Sequence, residues 1–294
     1  MSQHTDDIEE HDLGLSHDLP RIMARRGLLG LLGGVGAAAA LSACGADGAT
    51  STSAGSTTSS AGTAGPPDGP PDGGMAPGGD SAVEVAEGEI PEETAGPYPG
   101  DGTNGPNVLA ESGVVRSDIT TSFGSASGVA EGIPTTVELK VYDLTGDEVT
   151  PLAGAAVYLW HCDREGRYSM YDDGVTEENY LRGVQEADAD GNLTFTTVFP
   201  ACYAGRWPHM HFEVYESLAK ATSGENKLRT SQLALPQDVC DTVYATAGYE
   251  QSVTNLGQLS LESDNIFSDG YSLQLAKVTG SVDEGYTVSL NIPV

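Results

Sequence analysis

The chain is 294 residues long and carries 43 acidic against 13 basic side chains, a formal net charge of −30 at pH 7. This length suits one domain of about 200 residues with accessory segments. So acidic a surface repels nucleic acid and anionic lipid, which argues against a polyanion-binding function.

The N-terminus, residues 1–43, has the pattern of an export signal. Arg25-Arg26 precede an apolar, Gly/Ala-rich stretch at 28–41 that is too short and too weakly hydrophobic to span a membrane. The twin arginine is similar to a Tat signal, and Leu41-Ser-Ala-Cys44 resembles a bacterial lipobox. The sequence therefore predicts a protein exported to the outer face of a bacterial cell membrane and anchored there by a lipid on its cysteine. The alternative is an ordinary signal peptide with an incidental cysteine.

A low-complexity segment follows at 44–89. It consists mostly of Gly, Ser, Thr, Ala, Pro and Asp, with almost no large apolar side chain. Such a composition cannot bury a core, which predicts a disordered tether. A flexible chain of about 40 residues spans roughly 35 Å and would hold a domain clear of a bilayer.

Short apolar or alternating runs recur between turn signals in the remaining segment, 90–294. This spacing predicts an antiparallel β-sandwich. One short helix is predicted from Pro236 to about Ala247, with a first-turn Asp238 and an end at Gly248. The predicted strands are Thr136–Tyr142, Ala155–Trp160, Asn192–Val198, His209–Tyr215, Ser272–Ala276 and Tyr286–Ile292.

Two histidines, His209 and His211, lie one residue apart in an aromatic and β-branched run. Side chains alternate faces along a strand, so both project from one side and can bind one cation. Tyr203 and Arg206 lie just upstream in a loop marked by Gly and Pro. The segment therefore predicts a metal site.

A second segment ends an apolar strand at Trp160 and continues through a turn to Tyr168. Together the two segments resemble the intradiol ring-cleavage dioxygenases, the family of the protocatechuate and catechol dioxygenases, over roughly residues 90–294. The family pattern is a Trp-ended strand, Gly-x-Tyr, Pro-x-x-Tyr and Arg-x-x-His-x-His. It falls here on Trp160, Gly166, Tyr168, Pro200, Tyr203, Arg206, His209 and His211.

The resemblance implies an all-β fold, a transthyretin-like (prealbumin-like) sandwich with long loops. It also implies non-haem Fe(III) as cofactor, bound by Tyr168, Tyr203, His209 and His211, and cleavage of a catechol-type ring with O₂ between the hydroxyl-bearing carbons. Fe(III) is a hard cation, and two phenolates would offset much of its charge. Tyr203 would also accept a substrate proton, Arg206 would stabilise an anionic intermediate, and Gln232 looks like a family glutamine near bound oxygen.

The substrate stays open among catechol, protocatechuate and hydroxyquinol, with Arg206 or Arg182 as a candidate partner for a carboxylate. His161 does not fit the ligand pattern, and we expect at best a place in the pocket wall or behind the ligands. Beyond Cys44, three cysteines remain. In an exported domain two can pair, and we predict Cys202–Cys240, with Cys162 a buried thiol.

Two other functions remain open. Prealbumin-like sandwiches also serve as non-catalytic surface or adhesive modules, and the strand at 154–157 with the turn at 188–191 fits one. A cupin-like metalloenzyme would use His209, His211 and Glu213, which strand alternation places on one face. Neither alternative gives Tyr168 a function.

Overall fold

A computed structural model describes residues 88–146 and 148–294. The predicted export signal, Cys44 and the predicted tether as far as residue 87 lie outside these residues. The described part falls in one compact unit, Glu84–Val294. Within it, no helix has the length and apolar character needed to cross a bilayer.

Over the described residues the chain forms nine β-strands, two α-helices and three short 3₁₀ turns. The strands are β1 Pro134–Asp143, β2 Thr150–Pro151, β3 Ala156–Trp160, β4 Arg182–Glu186, β5 Asn192–Val198, β6 His209–Tyr215, β7 Arg229–Ala234, β8 Lys277–Ser281 and β9 Gly285–Pro293. The helices are α1 Gln237–Tyr244 and α2 Glu250–Leu256, and the 3₁₀ turns are Val108–Ala110, Gly224–Asn226 and Phe267–Asp269.

The strands make two sheets that share one apolar core. One sheet has the order β2-β1-β9-β8, with β5 also paired to β1, and the other has the order β4-β3-β6-β7. Val137 and Leu139 of β1 are buried in the same cluster as Val157 and Leu159 of β3. Alternation along β1 places its apolar residues on this inner face. The predicted all-β fold is confirmed.

The sequence predicted a purely antiparallel sandwich, and this is wrong in one place. Strands β1 and β9 pair in parallel over eight positions. The two are the first and last strands of the domain and are far apart in the sequence, so no hairpin fixes their relative direction. The predicted strand Ser272–Ala276 is also wrong. Backbone N–H groups of Gln274 and Leu275 donate to the carbonyl of Tyr271, and the next strand begins at Lys277. The alternating leucines are not the buried residues of this turn: Gln274 and Ala276 are buried, and Leu275 is exposed.

Two helices replace the single predicted one. The first starts after Pro236, as predicted, but ends at Tyr244. Gly248, with φ +94°, turns the chain into α2. The second helix was missed because its sequence contains β-branched residues that favour helix weakly. Burial of Tyr249, whose ring stacks 5.6 Å from that of Tyr244, holds it in place.

Both faces of the central strands β3 and β6 are covered along their whole length. Their inner side chains reach the core between the sheets. The outer face carries Tyr158, Trp160, His209 and His211, and packs against the segment before β1 and the loop between β3 and β4. This covered outer face contains the predicted site.

Candidate metal centre

The two predicted histidines face each other across the outer surface of β6. Their Nε2 atoms are 3.1 Å apart. His209 Nδ1 lies 2.5 Å from the carbonyl oxygen of Trp207, which can only accept a hydrogen bond. Nδ1 therefore carries the proton, and Nε2 directs its lone pair at the space between the rings. This arrangement is typical of a metal-binding imidazole.

Neighbours on both sides fix the ring of His211. It is the cross-strand partner of Trp160, and the two rings stack 4.9 Å apart at 8°. On the other side lies Gly96, with φ +73°, where an added Cβ would come within 3.3 Å of His211 Cε1. A side chain at this glycine would therefore be strained and would crowd the ring.

Two tyrosines complete the cluster. Tyr203 Oη lies 3.2 Å from His209 Nε2, and the ring of Tyr168 meets that of Tyr203 edge-on at 5.8 Å. Tyr168 is buried, and its hydroxyl makes no hydrogen bond of standard geometry among the described residues, although it interacts with the side chain of Tyr203. A buried, unsatisfied hydroxyl costs free energy unless something else binds it.

The turn between β3 and Tyr168 is held by a buried carboxylate. Asp163 accepts hydrogen bonds from the backbone N–H groups of Glu165 and Arg167. Gly166 between them has φ +87°, and a Cβ there would approach Tyr203 Cβ to 3.2 Å. The glycine of Gly-x-Tyr therefore lets the two tyrosine-bearing loops pack closely.

Burial controls the protonation of all four side chains. It lowers the pKa of His209 and of His211 well below 6.5, and the charge of Arg206 adds to the effect on both. It raises the pKa of Tyr203 to about 12 and that of Tyr168 well above 10. Without a cation the site at neutral pH therefore holds two neutral imidazoles and two protonated phenols.

Arg206 is a charged group close to the cluster, and it contributes to the pKa shifts of all four side chains. Its Nε donates to Asp264 Oδ2 at 3.0 Å, and its Nη2 donates to Gln232 Oε1 at 2.6 Å. Gln232 lies opposite His211 on β7 and donates through Nε2 to the carbonyl of Thr94 at 2.9 Å. The structure thus brings both predicted accessory residues to the cluster.

Sequence reasoning missed Asp264. Its side chain is fully buried, and its Oδ2 also accepts the backbone N–H of Trp207 at 2.7 Å. Its other oxygen accepts N–H groups of Ile266 and Phe267 in its own loop. An aspartate two residues before a turn is a common loop signal. Nothing in the sequence connects that loop to Arg206, 58 residues away.

The donor set fits an oxidised metal ion. Among the described residues no group of three His, Cys, Asp or Glu side chains is arranged to hold a metal, so a metal here depends on the phenol oxygens. His209 presents a lone pair, and the hydroxyl of Tyr168 is unsatisfied. Two oxygens that become anionic and two neutral nitrogens suit a hard trivalent cation such as Fe(III).

Other predicted residues have different partners. Glu213 accepts from Tyr215 Oη at 2.5 Å and lies 4.0 Å from Lys227 Nζ, so the cupin-like triad does not form. His161 is buried, and its two nitrogens contact Cys162 O and Thr197 Oγ1.

The predicted Cys202–Cys240 disulfide is absent. Cys202, Cys240 and Cys162 are all buried thiols without a disulfide. Cys202 Sγ lies 3.5 Å from the carbonyl oxygen of Arg206, toward which its proton is directed. Burial raises the pKa of Cys202 to about 12, so this thiol stays protonated.

Comparison with known proteins shows which proteins this chain is similar to. A family model described as "Dioxygenase" matches residues 104–239. The chain is 31% identical over 147 residues to 6-chlorohydroxyquinol 1,2-dioxygenase of Cupriavidus pinatubonensis, covering 49% of this chain and 48% of that protein. It is 39% identical over 61 residues to catechol 1,2-dioxygenase 1 of Acinetobacter lwoffii, covering 20% of each. The chain thus spans half or less of the length of these curated relatives.

The fold is similar to a solved intradiol ring-cleavage dioxygenase from Tetranychus urticae. The TM-score is 0.54 at 23% identity, over 70% of this chain and 94% of that one. At this identity the structural comparison shows a shared fold only. The similarity in sequence is shown by the family model and the curated relatives. Over the matched residues the chain is thus similar in sequence to the intradiol ring-cleavage dioxygenases, the family that its motifs resemble.

Proposed function

We propose that this protein is a non-haem Fe(III) dioxygenase that cleaves a catechol-type ring with O₂ between its two hydroxyl-bearing carbons. Its metal ligands are Tyr168, Tyr203, His209 and His211. The observation that carries the proposal is the convergence of two imidazole nitrogens 3.1 Å apart and a phenol oxygen 3.2 Å from one of them. Beside them lies the buried hydroxyl of Tyr168, which makes no hydrogen bond of standard geometry among the described residues. We also propose that the sandwich is transthyretin-like.

When bound, Fe(III) supplies the Lewis acidity that makes a dihydroxy-aromatic ring reactive toward O₂. The residues of the chain do the rest. As a phenolate, Tyr203 accepts the proton of a substrate hydroxyl at Oη. Arg206 faces the site through a fixed hydrogen-bonded arrangement and stabilises negative charge that develops on the substrate. Gln232 holds that guanidinium and lies beside His211. The buried setting excludes water and strengthens these interactions.

An adhesive module is the remaining alternative, and it leaves the cluster unexplained. It has no use for a buried hydroxyl that lacks a standard hydrogen bond among the described residues, or for an arginine held in a covered site. Such features lower stability and persist where function requires them.

Product analysis tests the proposed function. We expect the iron-loaded protein to be red to burgundy, from phenolate-to-iron charge transfer, and to consume one O₂ per catechol. With ¹⁸O₂, one labelled atom should appear in each carboxyl group of a ring-opened dicarboxylic acid. The zinc-loaded protein is the matched control and should be colourless and inactive. A colourless iron protein, or an aldehyde product from cleavage beside the diol, would refute the assignment.

We further propose that the protein is exported and anchored through a lipid on Cys44. The lipobox-like Leu41-Ser-Ala-Cys44 after a twin arginine supports this. Cys44→Ser should move the protein from the membrane fraction to the soluble fraction and abolish labelling with radioactive palmitate. Cys162→Ser is the control, because that thiol is buried in the described domain. Unchanged fractionation of the Cys44 variant would contradict the anchor.

A further inference from the structure

We propose that the site selects dihydroxy-aromatic substrates without an acidic substituent, and that Asp264 sets this preference by holding and neutralising Arg206. The inference rests on the proposed function and narrows its substrate class. It concerns a choice that the sequence left open between catechols with neutral substituents and carboxylated ones.

In the part of the chain that the structure describes, no Lys or Arg side chain at the site is left unpaired to receive a substrate carboxylate. Ten Lys and Arg residues lie in the described part of the chain. Four arginines are ion-paired, one lysine lies 4.0 Å from a glutamate, and two arginines donate to backbone carbonyls. The other three lysines lie on strands of the opposite sheet or in the turn after β6. The ion-paired arginines are Arg164, Arg167, Arg206 and Arg229, and the lysine near a glutamate is Lys227. The arginines that donate to carbonyls are Arg116 and Arg182, and the remaining lysines are Lys140, Lys277 and Lys220.

Arg182 is one of the two candidate partners for a substrate carboxylate. The residue is 1% exposed, and its side chain makes its hydrogen bonds with other residues of the fold. It donates to the carbonyl oxygens of Tyr98, Pro99 and Ser169 and contacts the hydroxyls of Tyr158 and Ser169, all at 2.8–3.1 Å. It joins the segment before β1 to the loop that carries Tyr168. A substrate could reach it only by breaking this network.

Arg206, the other candidate, is at the site but already has an anion. The Asp264 carboxylate is fully buried and lies 3.0 Å from Arg206 Nε. A substrate carboxylate at this point would share one cation with Asp264, and two anions beside one cation in a buried site repel each other. A ring with a neutral substituent adds no carboxylate charge there beyond that of its diol.

The rest of the surroundings disfavour an anion as well. The ring of Tyr98 lies 5.2 Å from that of Tyr168 and forms an aromatic wall with it. Asp172, which accepts the backbone N–H of Tyr168 at 2.6 Å, adds a negative charge behind that wall. The chain's net charge of −30 also slows the approach of anions.

A matched ligand pair tests the inference. 4-Methylcatechol and 3,4-dihydroxybenzoate share the diol and differ in one substituent, a methyl against a carboxylate. Titrations of the iron-loaded protein under anaerobic conditions, followed by the visible band, give binding without turnover. We expect the methyl compound to bind about tenfold more tightly or better, because the carboxylate is desolvated without a cation of its own.

Asp264→Asn leaves Arg206 without its anionic partner. We expect this variant to reduce the ratio of the affinities for the methyl and carboxylate compounds by about tenfold. Glu262→Gln is the matched control, since it removes one charge from the same loop at an exposed position that contacts Tyr271, not Arg206. The ratio of the two affinities is the decisive readout, because loosening of the fold alone would affect both ligands through their shared diol.

The outcomes separate the inference from the function on which it rests. Equal affinities in the wild type, or tighter binding of the acid, would overturn the inference and leave the dioxygenase assignment intact. If the ratio of the two affinities is the same in Asp264→Asn as in the wild type, Asp264 does not set the preference. If that variant does not fold, the wild-type ratio still decides. Failure of both ligands to shift the band would overturn the proposed function, and the inference with it.

Discussion

Replacing Arg206 with glutamine should lower kcat for catechol by about 10²–10³-fold, the usual effect of removing one preorganised group that stabilises transition-state charge. The visible band of the iron-loaded protein should remain, because Arg206 lies beside the four proposed ligands and is not one of them. Steady-state O₂ uptake and absorbance of the same samples measure both effects.

The same change should also destabilise the fold, for a separate reason. Asp264 would stay buried without its cation, which costs about 3–5 kcal/mol. The double variant R206Q/D264N removes that unpaired charge and should recover most of the stability in urea unfolding, but not the activity. Recovery of activity in the double variant, or full activity in the single one, would show that Arg206 serves only to balance Asp264.

The sequence predicted the parts of the site that follow from local periodicity. Alternation along a strand put His209 and His211 on one face, and the structure shows their Nε2 atoms 3.1 Å apart. Tyr168 and Tyr203 were joined to them only through the resemblance, because they lie in loops where no period applies. Their approach depends on a tertiary contact, the close packing of Gly166 against Tyr203.

The parts that were missed depend on contacts between distant segments. The pairing of Asp264 with Arg206 joins a loop after α2 to the loop before β6. The parallel pairing of β1 with β9 joins the first and last strands of the domain. The predicted disulfide failed for a similar reason, because Cys202 faces the carbonyl of Arg206. Residue type and spacing in one sequence do not specify such partners.

Tyr168→Phe should have opposite effects on function and on stability. The hydroxyl of Tyr168 is buried without a hydrogen bond of standard geometry among the described residues, and an unsatisfied group of this kind costs up to about 1–3 kcal/mol. The metal-free variant should therefore unfold at the same or a higher urea concentration than the wild type. Loss of one anionic ligand should remove most of the visible band and lower ring cleavage by about 10³-fold or more.

Tyr180→Phe is the matched control, because it removes the same atom from another buried tyrosine. Tyr180 Oη donates to the buried carboxylate of Asp163 at 3.0 Å, so this variant should lose about 1–3 kcal/mol of stability and keep its colour. If Tyr168→Phe instead behaves like Tyr180→Phe, Tyr168 is a packing residue and not a ligand. A hydroxyl that lowers the stability of the metal-free fold and is required for colour and turnover is there to bind a metal.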